Sequence, residues 1–295
     1  MMLKKALITG VTGQDGSYLS EFLLKKNYHV IGMMRRSSDF NTSRIDHLYK
    51  SYPKRFDTEY GDLEDESSIN RLIKQFKPDE VYNLGAQSHV GISFTVPKST
   101  FITNTTSVFN ILEAIRHSGR KIKYYQASSS EMFGATPPPQ NENSHFLPQS
   151  PYGISKVVAF HTTKLYRNAY NIYAANGILF NHESPRRGLN FVTRKITHNL
   201  AKIFTKEVKK IYLGNITIQR DWGFAGDYVK AIWLILQQSK PSDYVISTGQ
   251  MYSVKDFVEE CFNLVGLDWK KYVVYNNKKY LRPAEVPKLK GVTNT

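Results

Sequence analysis

Apolar positions fall into two alternating patterns along the first half of the chain. Short apolar runs occupy 6–9, 28–33 and 80–84, while Leu19, Phe22 and Leu23, and then Ile69, Leu72, Ile73 and Phe76, recur at the spacing of one helix face. The pattern predicts strands at 6–9, 28–33, 57–60, 80–84 and 121–127, and helices at 17–26, 67–76 and 108–115. Such alternation argues for an α/β fold: a Rossmann-like, doubly wound parallel sheet with ligands at the carboxyl ends of its strands. After about residue 175 the order is less regular, with helices expected at 190–204, 225–238 and 253–265 and short strands at 210–213, 244–247 and 272–275. Residues 1–175 therefore read as a dinucleotide-binding domain to which later segments return. Residues 176–295 read as a smaller, partly interleaved substrate domain. The proline run at 137–141 reads as a surface loop.

Composition narrows the class. A chain of 295 residues can bury a sizeable core. A single cysteine, Cys261, excludes a disulfide framework and a cysteine-based metal cluster, and no metal is expected. No apolar run reaches 18 residues and the start is too short in apolar residues for a signal peptide, so a soluble cytoplasmic protein is expected. The formal charge of +15 favours polyanionic or phosphorylated partners, or serves solubility alone. It is uneven: residues 270–295 hold seven Lys or Arg and one acid, Glu285. No basic–aromatic interleaving of an RNA module is visible, so nucleic acid is not an expected partner.

Two motifs carry chemistry. Strand 6–9 runs into Gly10-Val11-Thr12-Gly13-Gln14-Asp15-Gly16 and then a helix, the arrangement that lets backbone N–H groups and a helix N-terminus meet a pyrophosphate. At the end of the second strand, where NAD enzymes place an acid, stand Arg35, Arg36 and Ser37; two guanidiniums suit a 2′-phosphate and favour NADP. Asp62 and Leu63 follow the third strand, where a carboxylate either accepts from the adenine amine or caps a helix. Tyr152 and Lys156, four apart, share a helix face. A neighbouring ammonium, with a positive nicotinamide, lowers a phenol's pKa and fits Tyr152 as a base. Upstream, Ser128, Ser129, Ser130 and Glu131 end the fifth strand on the same sheet edge. Glycine turn, strand-end serine and Tyr-x-x-x-Lys in that order indicate a short-chain dehydrogenase/reductase.

Longer stretches sharpen this. With Phe40-Asn41-Thr42, Tyr82 to Val90, Ser150 to Gly153, Leu179 to Gly188, Phe191 to Ile196, Gly214-Asn215, Arg220 to Gly223 and Arg282 to Val286, the chain resembles the GDP-mannose 4,6-dehydratases, an extended short-chain dehydrogenase/reductase family, over nearly its whole length. The resemblance implies a redox-neutral dehydration of GDP-mannose to GDP-4-keto-6-deoxymannose with NADP, a first step towards GDP-fucose and related deoxysugars. It implies Tyr152, Lys156, Ser129 and Glu131 as catalytic residues, Glu131 taking the C5 proton. Cofactor contacts implied are the glycine turn, Leu84, Ala86, Gln87, Ser88, His182 and Arg187, His182 competing with a reading as a buried structural histidine. Substrate contacts implied are Ser88, Asn181, Val192, Lys195, Arg220, Arg282 and Glu285. A homo-oligomer, dimer or tetramer, is implied, with loop 35–41 at an interface.

The chain departs from the family in places. Ser129 stands for the usual Thr, Phe224 for a common His and Ser99 for a common Tyr. It stops at Thr295, where family members generally continue, so it is either a short member or truncated. The rival readings are another nucleotide-sugar enzyme such as an epimerase, which needs no C5 base like Glu131, and a catalytically impaired binding relative.

Overall fold

The computed structural model describes residues 3–38 and 40–292, so Asp39 of the 35–41 loop and both chain ends lie outside it. Thirteen strands are described, in chain order β1 Lys5–Thr9, β2 His29–Met34, β3 Phe56–Tyr60, β4 Glu80–Asn83, β5 Lys123–Ser129, β6 Ala174–Leu179, β7 Asn181–Glu183, β8 Ile211–Tyr212, β9 Gln219–Phe224, β10 Asp243–Ile246, β11 Met251–Ser253, β12 Val273–Val274 and β13 Lys288–Leu289. The helices are α1 Gln14–Lys25, α2 Asp46–Ser51, α3 Glu66–Phe76, α4 Val90–Ser93, α5 Pro97–His117, α6 Pro151–Tyr170, α7 Val192–Phe204, α8 Ala225–Gln237 and α9 Val254–Asn263.

Seven strands form one parallel sheet in the order β10-β6-β5-β4-β1-β2-β3. The order reverses at β1, which pairs with both β2 and β4, so a crevice opens beyond the carboxyl ends of β1 and β4. One sheet face buries Leu19, Leu23, Val229 and Ile232 of α1 and α8; the other buries Ile69, Leu72, Ile111 and Ile115 of α3 and α5. The second lobe has its own core, built on Ile196, Leu200, Val258 and Phe262 of α7 and α9. The large sheet reclaims β10 and α8 from the later chain, while β9 anchors a small sheet with β7, β11 and β13.

Several elements differ from the periodicity. The helix expected at 108–115 lies in the second half of α5. Its earlier turns bury Thr100, Asn104 and Ser107, which pack by hydrogen bonding rather than by apolar contact: Asn104 Nδ2 donates to Ser155 Oγ of α6 at 2.9 Å. The helix expected from 190 begins at Val192. The proline run is exposed, but Gln140 at its end is fully buried. It is tied to the segment near 291: its N–H reaches Lys290 O (2.8 Å), its carbonyl accepts from Val292 N (3.0 Å), and its Oε1 accepts from Lys290 N (3.0 Å). A purely exposed loop is thus corrected at Gln140. Among the described residues no helix is long and apolar enough to cross a membrane.

Candidate functional site

A cleft of about 1010 Å³ lies over the carboxyl edge of the large sheet and under the second lobe. Its floor is the glycine turn. Gly10 has φ +69°, and a Cβ there would stand 2.9 Å from the Gly85 backbone; at Gly16 a Cβ would stand 2.3 Å from Gly10 O. Only glycines let β1, α1 and the β4 end close to this distance. Gly13 caps α1 without a side-chain bond, leaving the first-turn N–H groups of a 12-residue helix at the cleft. This cradle fits a dinucleotide pyrophosphate.

The turn is locked from across the cleft. His182 of β7 is buried, with Nδ1 2.8 Å from Phe180 O and Nε2 2.8 Å from Asp15 Oδ2. Both neighbours are acceptors, so both ring nitrogens carry hydrogen and the ring is an imidazolium. Burial alone would disfavour that charge, but Asp15 outweighs it and raises the His182 pKa. Burial likewise pushes the Asp15 carboxyl up, and His182, Gln14 and Arg187 pull it down to about 2. Gln14 Nε2 donates to His182 O at 3.1 Å, Ser184 Oγ donates to Gln14 Oε1 at 2.8 Å, and the His182 ring stacks on Tyr228. The His182 ring has no nitrogen left for a ligand.

At the far end of the cleft β5 delivers Ser129 and a 3-10 turn delivers Glu131, whose N–H is held by Ser129 Oγ at 3.2 Å. Ser150 caps α6 through Gly153 N, and the first turns of α6 set Tyr152 and Lys156 below them. All four side chains are buried and line the cleft. Burial pushes the Tyr152 phenol up to about 12 against the hydrogen bond from Ser129, and pushes the Lys156 amine down to about 8. Lys156 Nζ donates to Ala127 O at 2.8 Å and lies 5.8 Å from the centre of the Tyr152 ring. The expected lowering of Tyr152 is therefore not supplied by the protein's own groups as they stand.

The opposite wall comes from the second lobe. Asn181, Val192, Lys195, Arg220, Arg282 and Glu285 all line the cleft, as do Leu84, Ala86, Ser88 and Arg187. Lys195 Nζ donates to Tyr212 O at 2.6 Å and sits 3.3 Å over the Tyr280 ring. Arg220 Nη1 donates to Val286 O at 2.8 Å. Among the described residues, Trp222 Nε1 and Glu285 Oε1 are buried polar atoms of the cleft without a hydrogen-bond partner, while Arg187 Nε meets Glu183 Oε2 in an ion pair at 3.2 Å. Burial raises the Glu285 pKa against the pull of Arg282 and Arg220.

Other expected residues do not line the cleft. Arg35, Arg36 and Ser37 are exposed after β2, and Asp62 accepts from Glu64 N at 3.0 Å while Asp65, not Asp62, caps α3. Leu63 packs against the α3–α5 core, and Gln87 binds Thr100 Oγ1 and His89. In turn, Arg44 and Trp222 line the cleft without having been singled out. Arg44 Nη1 reaches Thr12 O (3.3 Å) and Nε reaches Arg186 O (2.7 Å). It also borders a basic annex of about 300 Å³ shared with His47, Arg186, Arg187 and Arg194. Nothing in the spacing around residue 44 marks it, since it stands in a loop.

The profile of the GDP-mannose 4,6 dehydratase family matches residues 7–294. The chain belongs to the GDP-mannose 4,6-dehydratase family. It is 56% identical to GDP-mannose 4,6 dehydratase 1 of Arabidopsis thaliana over 98% of this chain and 82% of that protein. It is 47% identical to the GDP-mannose 4,6 dehydratase of Homo sapiens over 97% of this chain and 83% of that one. Among solved structures, UDP-glucose 4-epimerase of Thermotoga maritima superposes with a TM-score of 0.85 at 23% identity, covering 98% of this chain and 90% of that chain. The dTDP-glucose 4,6-dehydratase of Bacillus anthracis, solved with NAD, gives 0.83 at 20% identity over 98% and 88%. These likenesses show the fold.

Proposed function

We propose that this chain converts GDP-mannose to GDP-4-keto-6-deoxymannose with NADP as its resident cofactor. The observation that carries the reading is the meeting of Ser129, Glu131 and Tyr152 at one end of a cleft whose other wall presents Lys195, Arg220 and Arg282. Held at the glycine turn, NADP would supply a reversible hydride acceptor for the oxidation at sugar C4 and the reduction at C6. Tyr152 Oη takes the proton of the C4 hydroxyl, and Ser129 Oγ holds that oxygen. A positive nicotinamide, with the Lys156 ammonium beside it, would favour the Tyr152 phenolate and bring the phenol down from the value of about 12 that burial gives it. Once C4 is a ketone the C5 proton is acidic, and the Glu131 carboxylate removes it. The same group, now protonated, delivers that proton to the C6 hydroxyl as it leaves as water; C5 regains a proton as C6 is reduced, and the proton that Tyr152 took from the C4 hydroxyl restores the balance. Lys195, Arg220 and Arg282 bind the diphosphate, and Glu285 accepts from a guanine or ribose donor.

NADP is favoured over NAD by the guanidinium of Arg44 on Thr12 of the glycine turn, and by the exposed Arg35 and Arg36 that follow β2. The NAD bound to the dTDP-glucose 4,6-dehydratase of Bacillus anthracis supports a nicotinamide dinucleotide in the same cradle. A cytoplasmic location and a homo-oligomer with loop 35–41 at its interface belong to the same reading. The test is incubation with GDP-mannose and trace NADP⁺, read by mass spectrometry. Loss of one water without accumulation of reduced cofactor is expected, with turnover down by about 10³-fold in Glu131→Gln. Unchanged GDP-mannose in a folded chain that binds both ligands defeats the reading.

A further inference from the structure

One histidine joins the two walls of the cleft. His89 follows β4 and caps α4, whose residues Val90, Gly91 and Ile92 line the cleft with it. Its Nδ1 accepts from Ile92 N at 3.1 Å, and its Nε2 lies 3.3 Å from Asn190 O. An N–H already points at Nδ1, so the ring's one hydrogen sits on Nε2 and is donated to Asn190 O. The ring is thus neutral and held in one tautomer, the opposite of the His182 imidazolium. Burial keeps its pKa below the ordinary histidine value against the bond to Asn190, and Arg282 and Arg187 act in the same direction as burial. The ring also packs on Phe191, with centroids 5.4 Å apart. Asn190 and Phe191 lead straight into α7, and Phe191, its N-cap, accepts from Lys195 N at 2.8 Å.

Behind the ring, hydrogen bonds run back to the helix of Tyr152. His89 N donates to Gln87 Oε1 at 2.7 Å, and Gln87 N donates to Asn104 Oδ1 at 2.9 Å. Asn104 Nδ2 donates to Ser155 Oγ at 2.9 Å, and Ser155 Oγ donates to Tyr152 O at 2.7 Å. We propose that His89 is a positioning residue whose Nε2–H, given to Asn190 O, sets α7 with Val192 and Lys195 in register with α6 and its Tyr152. The inference rests on the function proposed above, in which α7 holds the nucleotide and α6 carries the base. α6 packs against the large sheet through Ala159 and Tyr166, whereas α7 packs in the second-lobe core through Ile196 and Leu200. Register between them is therefore set where the two lobes are joined. Without the clasp each wall keeps its own contacts, and what is lost is the alignment of sugar C4 with Tyr152 Oη. A displacement of about 1 Å at a reacting centre can cost about 10²-fold in rate.

Two variants divide the two bonds of the ring. His89→Asn keeps an acceptor near the position of Nδ1, suited to an N-cap, but has no group at that of Nε2. His89→Gln places an N–H near the position of Nε2 but no acceptor at that of Nδ1. In the cofactor-loaded chain, His89→Asn should lower kcat for GDP-mannose by about tenfold and leave the Kd of GDP within about twofold. His89→Gln should hold kcat within about threefold of wild type. Amide hydrogen exchange over 192–196 should quicken in His89→Asn and stay near wild type in His89→Gln. Recovery by His89→Asn and not by His89→Gln assigns the ring to capping and overturns the proposal. Equal loss in both assigns it to packing on Phe191, and no loss in either leaves it no role; both overturn the proposal. A weaker GDP that accounts for the lost turnover does so too. A wild type that turns over while the variants break the pattern loses this inference alone. A wild type without turnover, whose variants still show the exchange pattern, loses the dehydratase reading and keeps the clasp; absence of both defeats both.

Discussion

The two walls of the cleft are finished to different degrees. On the cofactor side Asp15, Gln14, His182 and Ser184 bind one another at 2.8–3.1 Å. On the substrate side Arg220, Arg282, Glu131 and Glu285 stand 3.8 Å apart, and Trp222 Nε1 and Glu285 Oε1 are buried without a hydrogen bond. A buried polar atom left unpaired costs about 1–3 kcal/mol, so the substrate wall holds back stability that a ligand can return. The lock of Asp15, Gln14, His182 and Ser184 has its hydrogen bonds made, although Tyr228 Oη beside it is buried without one. The difference suits a dinucleotide that stays through turnover and a sugar nucleotide that comes and goes.

The contrast is broken most severely at Asp15. Asp15→Asn leaves the buried His182 charge without its counter-ion and should cost about 3 kcal/mol by denaturant melting with no ligand added. Its pH dependence has a defined sign. The folded Asp15 value of about 2 lies below 3.8, so this stability is present above 3.8 and is lost as pH falls through about 2. His182 is raised above 6.5, so its share is present below 6.5 and is lost as pH rises through the raised value. The wild-type advantage over Asp15→Asn should therefore be largest between about pH 4 and 6.5; a flat difference would place the lock elsewhere. Next in size is Arg44→Ala, expected to weaken NADP about tenfold while changing NAD by less than threefold, by fluorescence titration. An equal loss for both would assign Arg44 to the pyrophosphate. Trp222→Phe removes an unpaired donor and also part of the packing on Phe257, so the two should offset in the melt while GDP-mannose binding weakens by about fivefold in calorimetry. A drop in stability would mean that Trp222 is a core residue only. Smallest is Ser129→Thr, whose added methyl restricts the rotamer and should raise kcat by about twofold.

The same contrast explains what the sequence could reveal. The glycine turn, the parallel sheet and the Ser129–Tyr152–Lys156 edge follow from local spacing, because strand order and helix periodicity put them together. Apart from α7, which carries Val192 and Lys195, the substrate wall is made of strands of two to six residues and 3-10 turns, too short for a period to register. Its residues were reached through resemblance alone. Arg44 has no pattern around it, and α5 hides its first turns because Thr100, Asn104 and Ser107 are buried by hydrogen bonding. Lys156 was legible as a neighbour of Tyr152, but its bond to Ala127 O depends on how far β5 runs, which the local pattern does not tell.

Gln140 has a practical consequence. Its amide and backbone fasten the stretch 290–292 to the foot of the proline run, and β13 just before it pairs with β9, the strand of Arg220. Anyone trimming this chain from its carboxyl side would therefore be editing the active site at a distance. Cutting before Lys290 takes the partners from the buried Gln140 Oε1 and backbone and loosens the seam next to Arg282 and Glu285, so a minimal expression length has to include it.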